Sequence, residues 1–152
     1  MHFSDQDRFF MESAMELAQE SFLKDEVPVG AVVVKENKII GSGRNTVIAD
    51  NDVSSHAEIN ALRSAAKELN NFRLNGCSIY VTLEPCHMCA KAIVDARLDM
   101  LVFAAKEPKT GSICSIDNFL ENKALNHSVK YKFGLSEDIS ANLLKDFFKQ
   151  KR

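Results

Sequence analysis

No run of this chain approaches the roughly 18 consecutive apolar residues that a membrane span requires, which argues against an integral membrane protein. The opening Met1-His-Phe-Ser-Asp-Gln-Asp-Arg8 lacks the basic-then-apolar order of a secretion signal, so a cytoplasmic location is expected. Cysteine is scarce, at four residues without framework spacing. That fits a reducing compartment, where paired cysteines point to metal or redox chemistry rather than disulfides. Neither sign of charge dominates: 19 Lys and Arg face 21 Asp and Glu, for a net charge of −2. Any nucleic-acid partner must therefore be met by a local patch, not by the overall field. Repeats, low-complexity tracts and linkers are also missing. What remains is 152 residues, 45% hydrophobic and 26% charged, expected to fold as one domain over 1–152.

The pattern alternates between helix and strand. Ser4 is placed to cap a first helix, with Asp5 and Asp7 in its positive first turn and Phe10, Ala14, Leu17 and Ala18 at helical spacing as far as about Phe22. Val27–Val34 and Ile39–Asn45 read as a hairpin, with Pro28 tolerated at the strand start. Asn45–Val53 reads as a polar loop. Ser54-Ser-His-Ala-Glu58 opens a second helix whose stripe is Ile59, Leu62, Ala66 and Leu69. Strands are expected at Cys77–Leu83, Asp99–Ala105 and Val129–Phe133, and helices from Pro85 to about Ala96, around Ile116–Asn122, and from Ser136 to about Lys149. Asp99–Ala105 is apolar on both faces and so belongs in the centre of the sheet. The order implies an α/β fold, a mixed sheet with helices on both faces.

One stretch carries chemistry, Pro85-Cys86-His87-Met88-Cys89. Proline suits a first helical position, and Cys86 and Cys89, at i and i+3, then share a face at the positive end of a helix. Such a pair serves as half a metal site, a redox dithiol or two core cysteines. No second Cys or His pair exists to complete a structural zinc, and Cys77 and Cys114 stand alone. The partner is His56-Ala57-Glu58. Taken singly, His56 reads as a surface or core histidine, and Ser55-x-x-Glu58 fits a capping box. Taken together, one His and two Cys leave a fourth position for water, the pattern of a catalytic zinc. Glu58, two residues from a ligand and not itself a ligand, is placed to shuttle protons. Helical geometry turns His87 away from both cysteines, so it is expected beside the site and not in it.

These residues match the H-x-E…P-C-x-x-C signature of zinc-dependent nucleobase deaminases. The resemblance extends through Glu26-Val-Pro-Val-Gly-Ala-Val32, Asn45, Ala61-Leu-Arg63, Asn71-Phe-Arg-Leu74, Tyr80-Val-Thr-Leu-Glu-Pro-Cys86, Lys109-Thr-Gly111, Asn126-His127 and Phe147-Phe148. Over nearly its whole length the chain resembles the bacterial tRNA-specific adenosine deaminases. The resemblance implies a cytidine-deaminase-like three-layer α/β/α sandwich with a five-stranded sheet, assembled as a homodimer. It implies hydrolysis of the wobble adenosine of a tRNA anticodon to inosine, with ammonia released. One Zn2+ per chain would be held by His56, Cys86 and Cys89, Glu58 would move the protons, and Asn45 would hold the flipped nucleoside. Lys109, Phe148 and Arg152 would contact the anticodon stem-loop, Phe148 by stacking and the cations through phosphates. Read without the family, Asn45 is equally a turn asparagine, and composition favours Lys145–Arg152 as a helix whose phenylalanines join the core. Glu107, Val47 and His87 depart from the family pattern, and the chain ends at Arg152 without a longer basic tail. The alternative enzyme is a deaminase of a free base or nucleoside such as guanine or cytosine; a non-catalytic zinc protein that binds RNA is a third reading.

Overall fold

The computed structural model describes residues 1–151, and the expected RNA contact Arg152 lies outside the described residues. Helix α1 spans Asp5–Leu23 and starts from a complete capping box. The Ser4 hydroxyl accepts from the Asp7 N–H at 3.1 Å, and the Asp7 carboxylate accepts from the Ser4 N–H at 2.9 Å. Strands β1 (Gly30–Lys35) and β2 (Lys38–Arg44) form the hairpin. Its tight turn uses Glu36 and Asn37 at φ of 50° and 62°, the left-handed pair that matches strand twist. The ladder begins at Gly30 and not at Val27, because Pro28 has no N–H and the Val29 N–H turns back to the Val27 carbonyl at 2.9 Å.

Beyond β2 come α2 (Val47–Asp50), α3 (Ala57–Leu69), β3 (Cys77–Leu83), α4 (His87–Asp95), β4 (Met100–Ala105), β5 (Lys130–Phe133) and α5 (Glu137–Gln150). The strand order is β2-β1-β3-β4-β5. β1 is antiparallel to β2 and β3, while β3, β4 and β5 run parallel. Alternation along the strands feeds two cores. Ala31, Val33, Ile79, Val81, Leu101 and Phe103 pack with α3 and α4. Val32, Val34, Tyr80, Val102 and Ala104 pack with α1. The expected three-layer sandwich with a five-stranded mixed sheet is the observed architecture. β4 is covered on both faces, as its continuous apolar sequence requires.

Two glycines seat α3 on the sheet. A Cβ at Gly43 would stand 2.4 Å from the Ala57 carbonyl oxygen and from the Ala61 nitrogen, and one at Gly41 would stand 2.5 Å from the Ala65 nitrogen. Bare backbone at these positions lets the helix approach closely enough to carry its N-terminus over the end of β2.

Four local expectations are corrected. Pro85 is not the first helical residue: Cys86 is the N-cap of α4 and Pro85 precedes it. Ser55 does not cap α3, and no capping box with Glu58 forms. Ser55 is buried with its backbone engaged by Thr46 and Asp52, which leaves the N-cap to His56. The expected loop 45–53 contains α2, because the buried Glu26 carboxylate accepts from the Ile48 and Ala49 N–H groups at 3.0 and 2.8 Å. This cap comes from more than 20 residues away in sequence. The helix expected at Ile116–Asn122 shrinks to a single 3-10 turn at Phe119–Glu121.

Candidate metal centre and active site

The pairings Gly30↔Arg44 and Ala31↔Val81 put the start of β1, the end of β2 and the end of β3 on one edge of the sheet. Helices α3 and α4 both begin there. Their N-cap residues, His56 and Cys86, have extended backbones, with φ, ψ of −71°, 156° and −77°, 175°. Neither side chain caps its helix. A side-chain cap contributes about 1 kcal/mol; both helices forgo it, and both side chains are free to meet beyond the helix ends. Cys89 joins them from the first turn of α4.

His56 Nδ1 lies 3.7 Å from Cys86 Sγ and 3.5 Å from Cys89 Sγ. All three donor atoms fall within 4.8 Å of one another. Tetrahedral zinc, with Zn–S near 2.3 Å and Zn–N near 2.0–2.1 Å, separates sulfur from nitrogen by about 3.6 Å. The trio could hold a metal, and its N, S, S donor set fits that geometry. Without a metal the thiols are inequivalent. Hydrogen bonds from Cys89 and then His56 pull Cys86 down to about 4. Cys89 keeps its proton for that bond, and burial raises it further. Metal binding at this site therefore displaces bound protons.

Glu58, the second residue of α3, is 4% exposed, and burial pushes its carboxyl up to about 7. It stands beside the trio at the inner wall of a cavity of about 670 Å³. Val27, Val29, Ile48, Leu83 and Phe147 supply apolar walls, and Asn45 and Thr110 supply polar ones. Asn45 is 8% exposed; its side-chain N–H donates to the Val27 carbonyl at 3.2 Å, and its Oδ1 accepts from the Val47 N–H at 3.4 Å. It is both the turn asparagine and a cavity residue. Glu26, through α2, holds Ile48 in place.

The structure thus brings His56, Glu58, Cys86, Cys89 and Asn45 together. Lys109 and Phe148 do not reach that cavity. They line an adjoining groove of about 940 Å³ with Lys106, Lys145, Lys149 and Lys151, and the two spaces share Leu83, Glu107 and Lys151. Of the phenylalanine pair, Phe147 is buried against Phe22 with ring centroids 6.0 Å apart, while Phe148 is half-exposed. Lys151 pairs with Asp25 across the rim. His87 Nε2 donates to the Asp117 carboxylate at 2.7 Å and is outside the donor trio.

Sequence reasoning left two wall residues unassigned, Glu26 and Glu84. Glu84 is 3% exposed; burial opposes its charge, but hydrogen bonds from Cys114, Ser115 and Glu107 outweigh burial and hold its carboxyl below the usual range. A charged residue between an apolar strand and a proline was the available signal.

Comparison with known proteins agrees with this chemistry. The family model of MafB19-like deaminases matches residues 4–152. A tRNA-specific adenosine deaminase of Aquifex aeolicus is 42% identical over 144 residues, covering 95% of each chain. A solved structure from studies of A-to-I editing by tRNA:A34 deaminases at the wobble position superposes with a TM-score of 0.87. It is 41% identical and covers 90% of this chain and 99% of its own. A guanine deaminase from Nitrosomonas europaea is more distant, at 25% identity and a TM-score of 0.80, covering 92% of this chain and 83% of its own.

Proposed function

We infer the function from a premise of kinship: the chain belongs to the MafB19-like deaminase family and, within the deaminases, to the tRNA-specific adenosine deaminases. Its reaction is hydrolytic conversion of adenosine to inosine at the wobble position of a tRNA anticodon, with release of ammonia. The observation that carries this reading into chemistry is the buried Glu58 beside a donor trio with zinc-compatible spacing.

His56 Nδ1, Cys86 Sγ and Cys89 Sγ would hold one zinc per chain and leave its fourth position open. Bound there, zinc supplies a Lewis acid that lowers the pKa of water from about 15.7 towards 7. Glu58 is the proton carrier. Its carboxylate takes one proton of the attacking water and delivers it to ring N1 of the adenine, then takes the second from the new C6 hydroxyl and delivers it to the departing amino group, which leaves as ammonia. A carboxyl poised near 7 suits both directions of transfer. Asn45 orients the nucleoside by hydrogen bonding, and Val27 and Val29 enclose the base and exclude bulk water.

Around the cavity we assign the RNA. Lys109 and the four other lysines of its groove take backbone phosphates of the anticodon stem-loop, and the half-exposed Phe148 offers a stacking face. Arg152 completes this assignment. A local cluster of cations resolves the conflict between an acidic chain and an RNA substrate. No helix among the described residues is long and apolar enough to cross a membrane; we assign the protein to the cytoplasm, with its substrate. We also assign a homodimer, supported by apolar side chains left exposed on the segments that carry the site: Ile48, Val53 and Met88. Sedimentation showing a single 17.0 kDa chain would rule the dimer out.

The guanine deaminase likeness favours one competing substrate. Incubation with an anticodon stem-loop bearing a wobble adenosine should yield inosine, while free guanine should remain unchanged. Turnover of guanine with no inosine in the stem-loop would replace the tRNA reading.

A further inference from the structure

We propose that Glu84 is a positioning residue, which anchors the loop Glu107–Ser115 at the mouth of the site and so sets where Lys109 and Thr110 meet the RNA. The proposal rests on the wobble-adenosine reading for its substrate. Its structural basis stands apart from that reading.

Glu84 follows β3 directly and lies two residues before Cys86. Its carboxylate accepts five hydrogen bonds, all from one loop. Oε1 takes the Glu107 N–H at 3.0 Å and the Ser115 hydroxyl. Oε2 takes the N–H groups of Ile113, Cys114 and Ser115 at 3.0, 2.7 and 3.0 Å. No ion pair among the described residues includes it. Five converging donors suit a carboxylate, which only accepts. An amide would turn an NH2 group towards at least two of them.

Gly111 is explained by the same contact. A Cβ there would stand 2.3 Å from Glu84 Cδ and 2.5 Å from each carboxylate oxygen. The loop can close over the carboxylate only where it carries no side chain. Further contacts tie the loop to the strand–helix junction: the Ser112 N–H donates to the Pro85 carbonyl at 2.9 Å, and the Glu84 N–H donates to the Ala105 carbonyl at 2.8 Å.

The anchorage passes outward in one step. Glu107, whose N–H is held by Glu84, accepts the Lys109 N–H at 2.9 Å through its own carboxylate. Glu107 and Thr110 line the catalytic cavity, and Lys109 lines the groove shared with Phe148. The loop that meets RNA and the cysteine that meets metal are thus braced by one junction, Glu84–Cys86. Loss of the brace should loosen RNA binding and leave the chemical step intact, since all five hydrogen bonds to the Glu84 carboxylate come from the loop and none from Glu58 or the donor trio.

The test combines kinetics with hydrogen exchange. Glu84→Gln should retain one zinc per chain and exchange the amides of Glu107, Ile113, Cys114 and Ser115 faster than wild type. With an anticodon stem-loop its KM should rise about tenfold to a hundredfold, the range expected when hydrogen bonds to a buried charge are lost. Its kcat should stay within about threefold, the signature of lost binding rather than lost transition-state stabilisation. Gly111→Ala, at a different residue, should reproduce both effects. Ser115→Ala removes one donor only and should give a smaller KM rise in the same direction, which keeps the test available if Glu84→Gln fails to fold. Unchanged amide exchange, or a fall in kcat at constant KM, overturns the proposal. If wild type forms no inosine, the functional reading fails, and the exchange result alone decides the anchor.

Discussion

Glu58→Gln is expected to lower inosine formation by about 10²–10⁴-fold, the contribution of a positioned general acid–base group, while one zinc per chain is retained. The substitution is nearly isosteric at a side chain that is 4% exposed, so packing of the first turn of α3 is preserved. The metal should stay because the donor trio is His56, Cys86 and Cys89, with the carboxylate outside it. What is lost is a group able to hold a proton and then release it. Burial pushes the Glu58 carboxyl up to about 7, so both protonation states are accessible near neutral pH. An amide has neither. Single-turnover inosine measurements on an anticodon stem-loop, paired with metal analysis of the same sample, give the answer. Activity within a few-fold of wild type would remove Glu58 from the proton path; loss of metal would make it a ligand.

Cys86→Ser should act in the opposite sense, with metal content falling from one zinc per chain to near zero and deamination lost with it. A serine hydroxyl is a poor zinc ligand, and the remaining His56 and Cys89 form half a site. The metal-free variant should nevertheless be no less stable than metal-free wild type. Cys86 is the N-cap of α4 and its side chain makes no capping hydrogen bond. Serine is a preferred N-cap, and its bond to a first-turn N–H contributes about 1 kcal/mol. Removal of the thiol also takes away the pair in which the Cys86 and Cys89 sulfurs share a proton. Denaturation of both metal-free proteins checks the stability, and metal analysis checks the ligand. Full zinc occupancy in the variant would refute the donor set.

The two substitutions separate what one measurement of lost activity would confuse. Glu58→Gln leaves a loaded, silent site, and Cys86→Ser leaves an empty, well-capped one. Both effects arise from helix N-termini that lack their own caps. His56 and Cys86 occupy cap positions with extended backbones, and each directs a donor beyond its helix instead of back to it. The local expectation of Ser55 as a cap missed the boundary by one position, and that of Pro85 as a first helical residue missed it by two. The grouping of His56 with Cys86 and Cys89 survived that error, because cysteines at i and i+3 and a histidine beside a helix start remain near the helix end under either boundary.

Other features had at most a weak local signal. Glu26 caps α2 across 22 residues, and Glu84 gathers donors from 23 to 31 residues away. Both looked like acidic residues beside apolar strands. The resemblance singled out Phe148 of the phenylalanine pair, and packing against Phe22 assigns Phe147 to the interior and leaves Phe148 on the groove. The run Ile116–Asn122 showed helical composition, yet its chain is committed elsewhere: the Ile116 and Phe119 N–H groups bond back to Gly111 and Ser112. A three-residue 3-10 turn is what remains.

By itself the sequence determined the chemical inventory of this protein: two thiols and an imidazole able to hold a metal, a carboxyl able to carry protons, and helix starts to present them. Residue identity and spacing within one helical turn are enough for that, since donor chemistry is a property of the side chain. The tertiary structure decided what those groups do together. The pairing of β1 with both β2 and β3 closes a gap of 30 residues between His56 and Cys86, and glycines on β2 bring α3 down onto the sheet. Burial then raises the Glu58 carboxyl, and a loop folded onto Glu84 carries Lys109 to the adjoining groove. Convergence and desolvation depend on contacts distant in sequence, so they emerge only when the chain is folded.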